Sequence, residues 1–476
     1  MRTTSFVQCS STSFTFAALS CIFLVGVPEA AAQVAPISNT VPSSTPRTES
    51  AAANQIESIS FYVYPDNANT FNRSNVDTRA HFEEIRTTVG GGGGNYGRVG
   101  IALNYPYTGF VDGNNPGNFA PAQGWVDEIR RIVSVAAEIE MPVLIGFNGA
   151  VWAEAIGPFN DYWKTAEGGR YLNRYMDEKV NVALPARDTY TRKELEPYLN
   201  IGSYQWTNSL HLTLSQYATD YQDSRLKLLG QTANLIKEIA QAYSGTIKAL
   251  TTDSEVCAFS FRTSGGSTVS VGYEEFQTEN FCKENDIADC DAFFNKGAFT
   301  YESDLEKKWA DFRANTHKLF IQSSVNELRK VFPGLPIYTH EIPEKDGGYF
   351  KYGGQDFASY QVNAFAKKAL PGYTLYVFNK DDAEFKEIIV EISAKVRRQG
   401  LGHWGAMEFN PSRGNFPGGK DQVEDYTWEI LSFLYEHDVR VAAPLAWISN
   451  KVDSGIRDTG VADGIRRFIM QGPKNR

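Results

Sequence analysis

Two glutamates close short apolar runs, in Thr251-Thr252-Asp253-Ser254-Glu255 and in Gly405-Ala406-Met407-Glu408-Phe409-Asn410. Two carboxyl groups facing each other across a pocket can break an acetal. One protonates the leaving oxygen, while the other attacks the anomeric carbon or activates a water. Glu255 and Glu408 are therefore the candidate catalytic pair for cleavage of a glycosidic bond. The proton donor must be kept protonated by burial and by its neighbour's charge, and its partner must stay ionised, which calls for hydrogen-bond donors. Tyr376, His340, Arg98 and Trp404 are the side chains that strand ends would bring within reach.

Such a pair needs a rigid frame. Eight short runs rich in Val, Ile, Leu, Phe and Tyr recur along the chain: Ser58–Tyr64, Arg98–Tyr105, Pro142–Asn148, Ile247–Thr252, Pro336–Thr339, Thr374–Phe378, Trp404–Phe409 and Arg440–Trp447. They lack clean polar alternation, as strands buried on both faces do. Between them, apolar residues recur at three- and four-residue steps in Trp125–Glu138, Asp223–Tyr243, Asp381–Arg398, Gln422–Glu436 and Val461–Met470. Strand and helix alternating about eight times predict an α/β chain closed into a (β/α)8 TIM barrel, whose chemistry sits at the C-terminal rim of the strands. An open doubly wound sheet would carry a glycine fingerprint after its first strand, and none is present.

The fourth and seventh strands of such a barrel end on roughly opposite sides of the mouth, leaving room for a sugar between Glu255 and Glu408. Glu341, closing the fifth run, is the rival carboxylate, but its strand neighbours the fourth. Asp253 is assigned to substrate contact rather than to proton donation. Asp66, Asn104, Asn148 and His340 end other runs and suit sugar hydroxyls, and His403 is expected near the same rim. Long loops follow the third run (Gly149 to Gln216) and the fourth (Val256 to Phe299), and the first of these is dense in aromatics, Trp152 among them. Aromatic faces in such loops suit the apolar faces of sugar rings.

The barrel order from about Ile56 onward resembles the clan A glycoside hydrolases. That resemblance implies an acid/base Glu at the end of strand four, here Glu255, and a nucleophilic Glu at the end of strand seven, here Glu408. It also implies a retaining mechanism. Ser254 stands where members commonly carry Asn, and Trp447 resembles the Trp that floors their sugar site.

Composition narrows the partners. The formal charge is −10 and the Lys and Arg residues are dispersed, which fits neither nucleic acid nor an anionic membrane and suits a neutral carbohydrate substrate. Six His scattered over the chain, and three Cys beyond the leader without a nearby His cluster, imply no metal and no cofactor. Gly90 to Gly94 lacks the spacing and Lys of a phosphate loop, and no Gly-x-Ser-x-Gly elbow occurs.

Residues 1–32 read as an export signal: Arg2, an apolar stretch from Phe14 to Val27 that is too short to span a bilayer, and Ala30-Ala31-Ala32 as the cleavage site. Residues 33–54, rich in Ser, Thr, Pro and Ala, form a flexible linker, and 55–476 form the catalytic barrel. A secreted location puts Cys257, Cys282 and Cys290 in an oxidising compartment. Cys282–Cys290 is the expected bridge, and pairing through Cys257 stays open. Two other readings keep the barrel. One is a carbohydrate-binding protein without catalysis. The other is an inverting glycosidase, with carboxylates roughly 6.5–9.5 Å apart rather than about 5–5.5 Å.

Overall fold

A computed structural model describes residues 58–66, 70–90, 94–105, 121, 123–147, 220–252, 260–262, 268–270, 275–294, 303–341, 349–352, 355–358, 368–375, 383–411, 419–448 and 455–474. Eight parallel strands form one sheet: β1 (Ile59–Val63), β2 (Gly97–Tyr105), β3 (Val143–Phe147), β4 (Ile247–Thr252), β5 (Ile337–Tyr338), β6 (Gly372–Leu375), β7 (Trp404–Phe409) and β8 (Val439–Pro444). Their spatial order is β6-β7-β8-β1-β2-β3-β4-β5. Parallel bridges Tyr338↔Leu370 and Glu341↔Tyr373 bring β5 against β6, so the sheet closes on itself as a (β/α)8 barrel.

The helices are α1 (Asn75–Val89), α2 (Gln123–Glu138), α3 (Asp220–Ala242), α4 (Glu275–Glu284), α5 (Cys290–Phe294), α6 (Asp304–Val331), α7 (Ala383–Arg398), α8 (Lys420–Glu436) and α9 (Val461–Gln471). Their ends follow from local chemistry. Ser74 caps α1 by accepting from the Asp77 amide, and Gly90 ends it in the left-handed region at φ 93°. Ser303 caps α6 through the Glu306 amide.

Two apolar layers result. The outer one packs strands on helices and holds Phe61, Ile101, Ile145, Leu250, Trp404 and Phe468 among many others. The inner one fills the barrel with Tyr62, Tyr64, Ala102, Leu144, Ala249, Tyr338, Met407, Val441 and Ala443. Alternation along each strand separates the two sets. Glycines at the inner face make this packing possible. A Cβ on Gly372 would lie 2.2 Å from the Thr339 carbonyl oxygen, and one on Gly405 would collide with the Met407 side chain.

The segment after β4 differs from a plain loop. It carries an antiparallel ribbon (Ser260–Arg262 with Thr268–Ser270), then α4 and α5. A Cys282–Cys290 disulfide joins the two helices, with Cα atoms 5.7 Å apart. Phe281, Phe293, Phe294, Trp309 and Phe312 build a small aromatic core beneath them. A second ribbon, Tyr349–Tyr352 with Gln355–Ala358, follows β5. Among the described residues no helix is long and apolar enough to cross a membrane. The expected export signal (1–32) and linker (33–54), residues 148–219 between β3 and α3, and Cys257 lie outside the described residues.

Candidate active site

The C-terminal ends of the strands converge on one rim, and Glu408 reaches its interior through an irregularity. Strict alternation in β7 would put Met407 inside the barrel and Glu408 outside. Instead the register with β6 runs Tyr373↔Ala406 and then Thr374↔Glu408, skipping Met407. The register with β8 skips too, from Ala406↔Ala442 to Phe409↔Pro444. Met407 is thus an extra residue in a β-bulge, and the bulge turns both Met407 and Glu408 to the inner face. Bulges commonly re-aim a side chain in this way beside active sites.

Thr374 confirms the face. Its neighbours Tyr373 and Leu375 belong to the outer layer, so Thr374 points inward. His340 does the same two residues beyond Tyr338, and its Nε2 lies 2.9 Å from Thr374 Oγ1. His340, Thr374 and Glu408 therefore form a row at one level on β5, β6 and β7. All three are buried. Burial lowers the His340 pKa from 6.5 to about 3, so the imidazole is neutral.

The neighbouring rim is tied together by backbone. The Tyr64 amide donates to Pro444 O, the Leu445 amide to Phe409 O, and the Trp447 amide to Tyr64 O. Asn410 Nδ2 donates to Leu445 O at 2.6 Å. Trp447 thus sits beside the end of β1, three residues beyond the last residue of β8, and is fully buried. Across the barrel, Asn104 Oδ1 and Thr251 Oγ1 converge over Gly146, where a Cβ would stand 3.3 and 2.9 Å from them.

Other predicted site residues are placed differently. Glu341 pairs with Tyr373, which faces outward, so the rival carboxylate leaves the barrel interior. Together with burial and Glu391 on α7, it pushes the Tyr373 pKa well up, burial being the larger cause. Trp404 opens β7 at the opposite, N-terminal end, where its Nε1 donates to His437 O. Arg98 lies near the start of β2, also far from the rim. His403 precedes β7 and meets the Tyr338 hydroxyl at 2.9 Å beneath the barrel, not at its mouth. Asp66 is at the rim, its amide donating to His81 Nε2 at 3.2 Å and its carbonyl accepting from Thr70. Glu255, Asp253, Asn148, Trp152 and Tyr376 lie outside the described residues.

The sequence assigns no role to Thr374, which opens a predicted run, or to Asn410, which follows one. The signal that would have found Thr374 is the bulge, which depends on pairing between strands. Among the described residues no group of three or more His, Cys, Asp and Glu is arranged to hold a metal ion.

No protein-family profile and no curated protein matches the sequence. Solved structures do match in shape. A β-galactosidase from Bacillus circulans sp. alkalophilus superposes with a TM-score of 0.52 at 10% identity, over 88% of this chain and 58% of that one. A β-galactosidase from the psychrophilic Marinomonas ef1 gives 0.50 at 11%, over 86% and 59%. What the chain shares with these two enzymes is the (β/α)8 barrel fold. The chain spans a little under three-fifths of the length of these two enzymes.

Proposed function

We propose that this chain is a secreted glycoside hydrolase that cleaves with retention, with Glu408 as nucleophile and Glu255 as acid/base. The observation that carries the reading is the bulge at Met407, which spends a register break on bringing one carboxylate inward at the rim of β7. A buried carboxylate at that position is suited to attack an anomeric carbon. On β4, Ala249 lies in the inner layer and Leu250 in the outer. Asp253 and Glu255 are two residues apart in sequence, so strand alternation gives no ground for separating them. The choice of Glu255 over Asp253 rests on its reach and on the resemblance to clan A.

The β-galactosidase neighbours make a β-galactoside the first substrate to try. The leader sequence and the Cys282–Cys290 bridge support export to an oxidising compartment. The barrel from residue 55 onward is the proposed catalytic unit, and its partner is a carbohydrate.

The test uses 2,4-dinitrophenyl β-glycosides of galactose, glucose, mannose and xylose. Glu408→Ala should lose turnover and recover it with azide, yielding the glycosyl azide of inverted configuration. Glu255→Ala should recover with azide to give the retained one. Inactivity of the wild type on every glycoside, alongside measurable oligosaccharide binding, would leave a binding protein. Activity surviving Glu408→Ala would remove Glu408 from the mechanism.

A further inference from the structure

We infer that His81, on α1, is a positioning residue for the candidate sugar site: its neutral ring accepts the Asp66 amide and so fixes the rim edge of β1 to which Trp447 is tied. The inference rests on the proposed function for the site it serves, though not for its geometry.

A backbone N–H can only donate, so a ring nitrogen that meets one must be bare. The Asp66 amide lies 3.2 Å from His81 Nε2. In a neutral imidazole the single proton then sits on Nδ1, and only one tautomer is left. That Nδ1 faces Glu84 Oε2 at 3.6 Å, a charge contact rather than a hydrogen bond. Each ring nitrogen thus meets the kind of partner this tautomer requires. A second proton on the ring would set N–H against N–H at Asp66 and break the bond. His81 is only 6% exposed, and burial lowers its pKa, against the pull of Glu84 and Asp66 and with a lesser push from Arg457. Those three are the charged groups facing the ring among the described residues.

Asp66 is held at both of its backbone groups. Its carbonyl accepts from the buried Thr70 hydroxyl at 2.7 Å, and the Thr70 carbonyl accepts from Arg131 Nη2 at 2.6 Å. Two residues before Asp66, the Tyr64 carbonyl accepts the Trp447 amide at 3.0 Å, and the Trp447 carbonyl accepts the Arg457 amide at 3.2 Å. Arg457 Nη1 returns to Glu84 Oε1 on α1 at 3.6 Å. These contacts form a circuit from α1 through the end of β1 and the segment after β8, back to α1. Arg457 and Glu84 are partly exposed, so their ion pair adds little, and the bond at His81 Nε2 carries the hold. Without an acceptor there, the Asp66 amide turns to water, and the edge that carries Asp66 and Trp447, both assigned to sugar contact, loosens.

The tautomer is read at about pH 7 on wild-type protein labelled with ring-15N histidine, with His81→Gln assigning the signal. An Nδ1–H ring with a bare Nε2 is expected; an Nε2–H ring or an imidazolium overturns the inference. The functional readout is turnover of 2,4-dinitrophenyl β-galactoside by His81→Leu and His81→Gln. Gln keeps an acceptor oxygen and cannot become charged, whereas Leu fills similar space without one. His81→Leu should raise KM roughly two- to tenfold, the range of one lost hydrogen bond, with kcat within about twofold of wild type. His81→Gln should stay near wild type in both. An unchanged KM in His81→Leu, an equal rise in the two variants, or a loss confined to kcat overturns the inference. If no glycoside is turned over, the Kd of the same glycoside takes the place of KM and the same comparison decides. Activity retained in Glu408→Ala beside the expected KM split keeps His81 in its role and sinks only the nucleophile.

Discussion

Glu408 and Thr374 are partners across β7 and β6 because Met407 is bulged out of the register between them. The bulge turns the carboxylate from the helix side of the sheet to the barrel side, and Met407 fills the space below it. Its side chain lies over Gly405 and Gly372, where any Cβ would strike it.

Met407→Ala should therefore act on both stability and turnover. Removing a fully buried Met side chain from the barrel interior should cost about 2–4 kcal/mol. The void beneath Glu408 also loosens its aim, so kcat should fall more than KM rises. Urea unfolding and turnover of an activated galactoside test the two effects. A variant as stable as wild type would mean that the barrel interior collapses into the gap.

Much of this frame is legible in the sequence. All eight strands occur in the predicted order, and β4 and β7 start and end at the expected residues, because short apolar runs separated by amphipathic helices admit few arrangements. Four things were hidden. The direction of Glu408 depends on a register break between strands, which no periodicity within one strand reports. The direction of Glu341 depends on its bridge to Tyr373. Trp404 and His403 were assigned to the rim although they stand at the start of β7, where a parallel barrel has its other end. Strand six begins at Gly372 rather than Thr374, since glycine has little strand preference but suits the crowded inner face, 2.2 Å from the Thr339 carbonyl for any added Cβ.

The disulfide gives a prediction about the insertion after β4. Cys282 and Cys290 are eight apart in sequence, and closing so small a loop is worth about 2–3 kcal/mol through the unfolded chain. Replacing both with Ala should lower the free energy of unfolding by that amount. The aromatic core of Phe281, Phe294 and Trp309 should still form, since its contacts do not require the bridge. Denaturation of oxidised, reduced and double-alanine protein checks this: the last two should coincide. A loss much beyond 3 kcal/mol would show that α4 and α5 need the link to dock.

Helix α9 closes the ring against α8 at a glycine. A Cβ on Gly464 would lie 2.5 Å from Thr427 Cβ and 2.7 Å from the Glu424 carbonyl oxygen. Gly464→Ala gains roughly 1 kcal/mol of helix propensity but forces two backbones apart, at about 1–3 kcal/mol. The expected net is destabilisation by up to about 2 kcal/mol. A stabilised variant in thermal unfolding would mean that the two helices separate at little cost.

His340 should make the fold acid-sensitive. Its pKa is 6.5 in an unfolded chain and about 3 when buried, so between those values the unfolded state binds a proton that the folded state refuses. Unfolding then becomes harder as pH rises: the contribution is fully present above about 6.5 and is lost progressively as pH falls toward about 3. His81 acts in the same sense. Burial is the largest influence on its lowered pKa, against the opposing pull of Glu84 and Asp66, and its Nε2 must stay bare to accept from the Asp66 amide. Replacing His340 by Gln removes one of these two titrations. Urea unfolding at pH 7 and at about pH 5 should therefore show the wild type losing roughly 1–2 kcal/mol more than His340→Gln on acidification. Equal losses in the two proteins would mean that His340 is protonated or solvated in the folded state, and that the row from β5 to β7 is open to water.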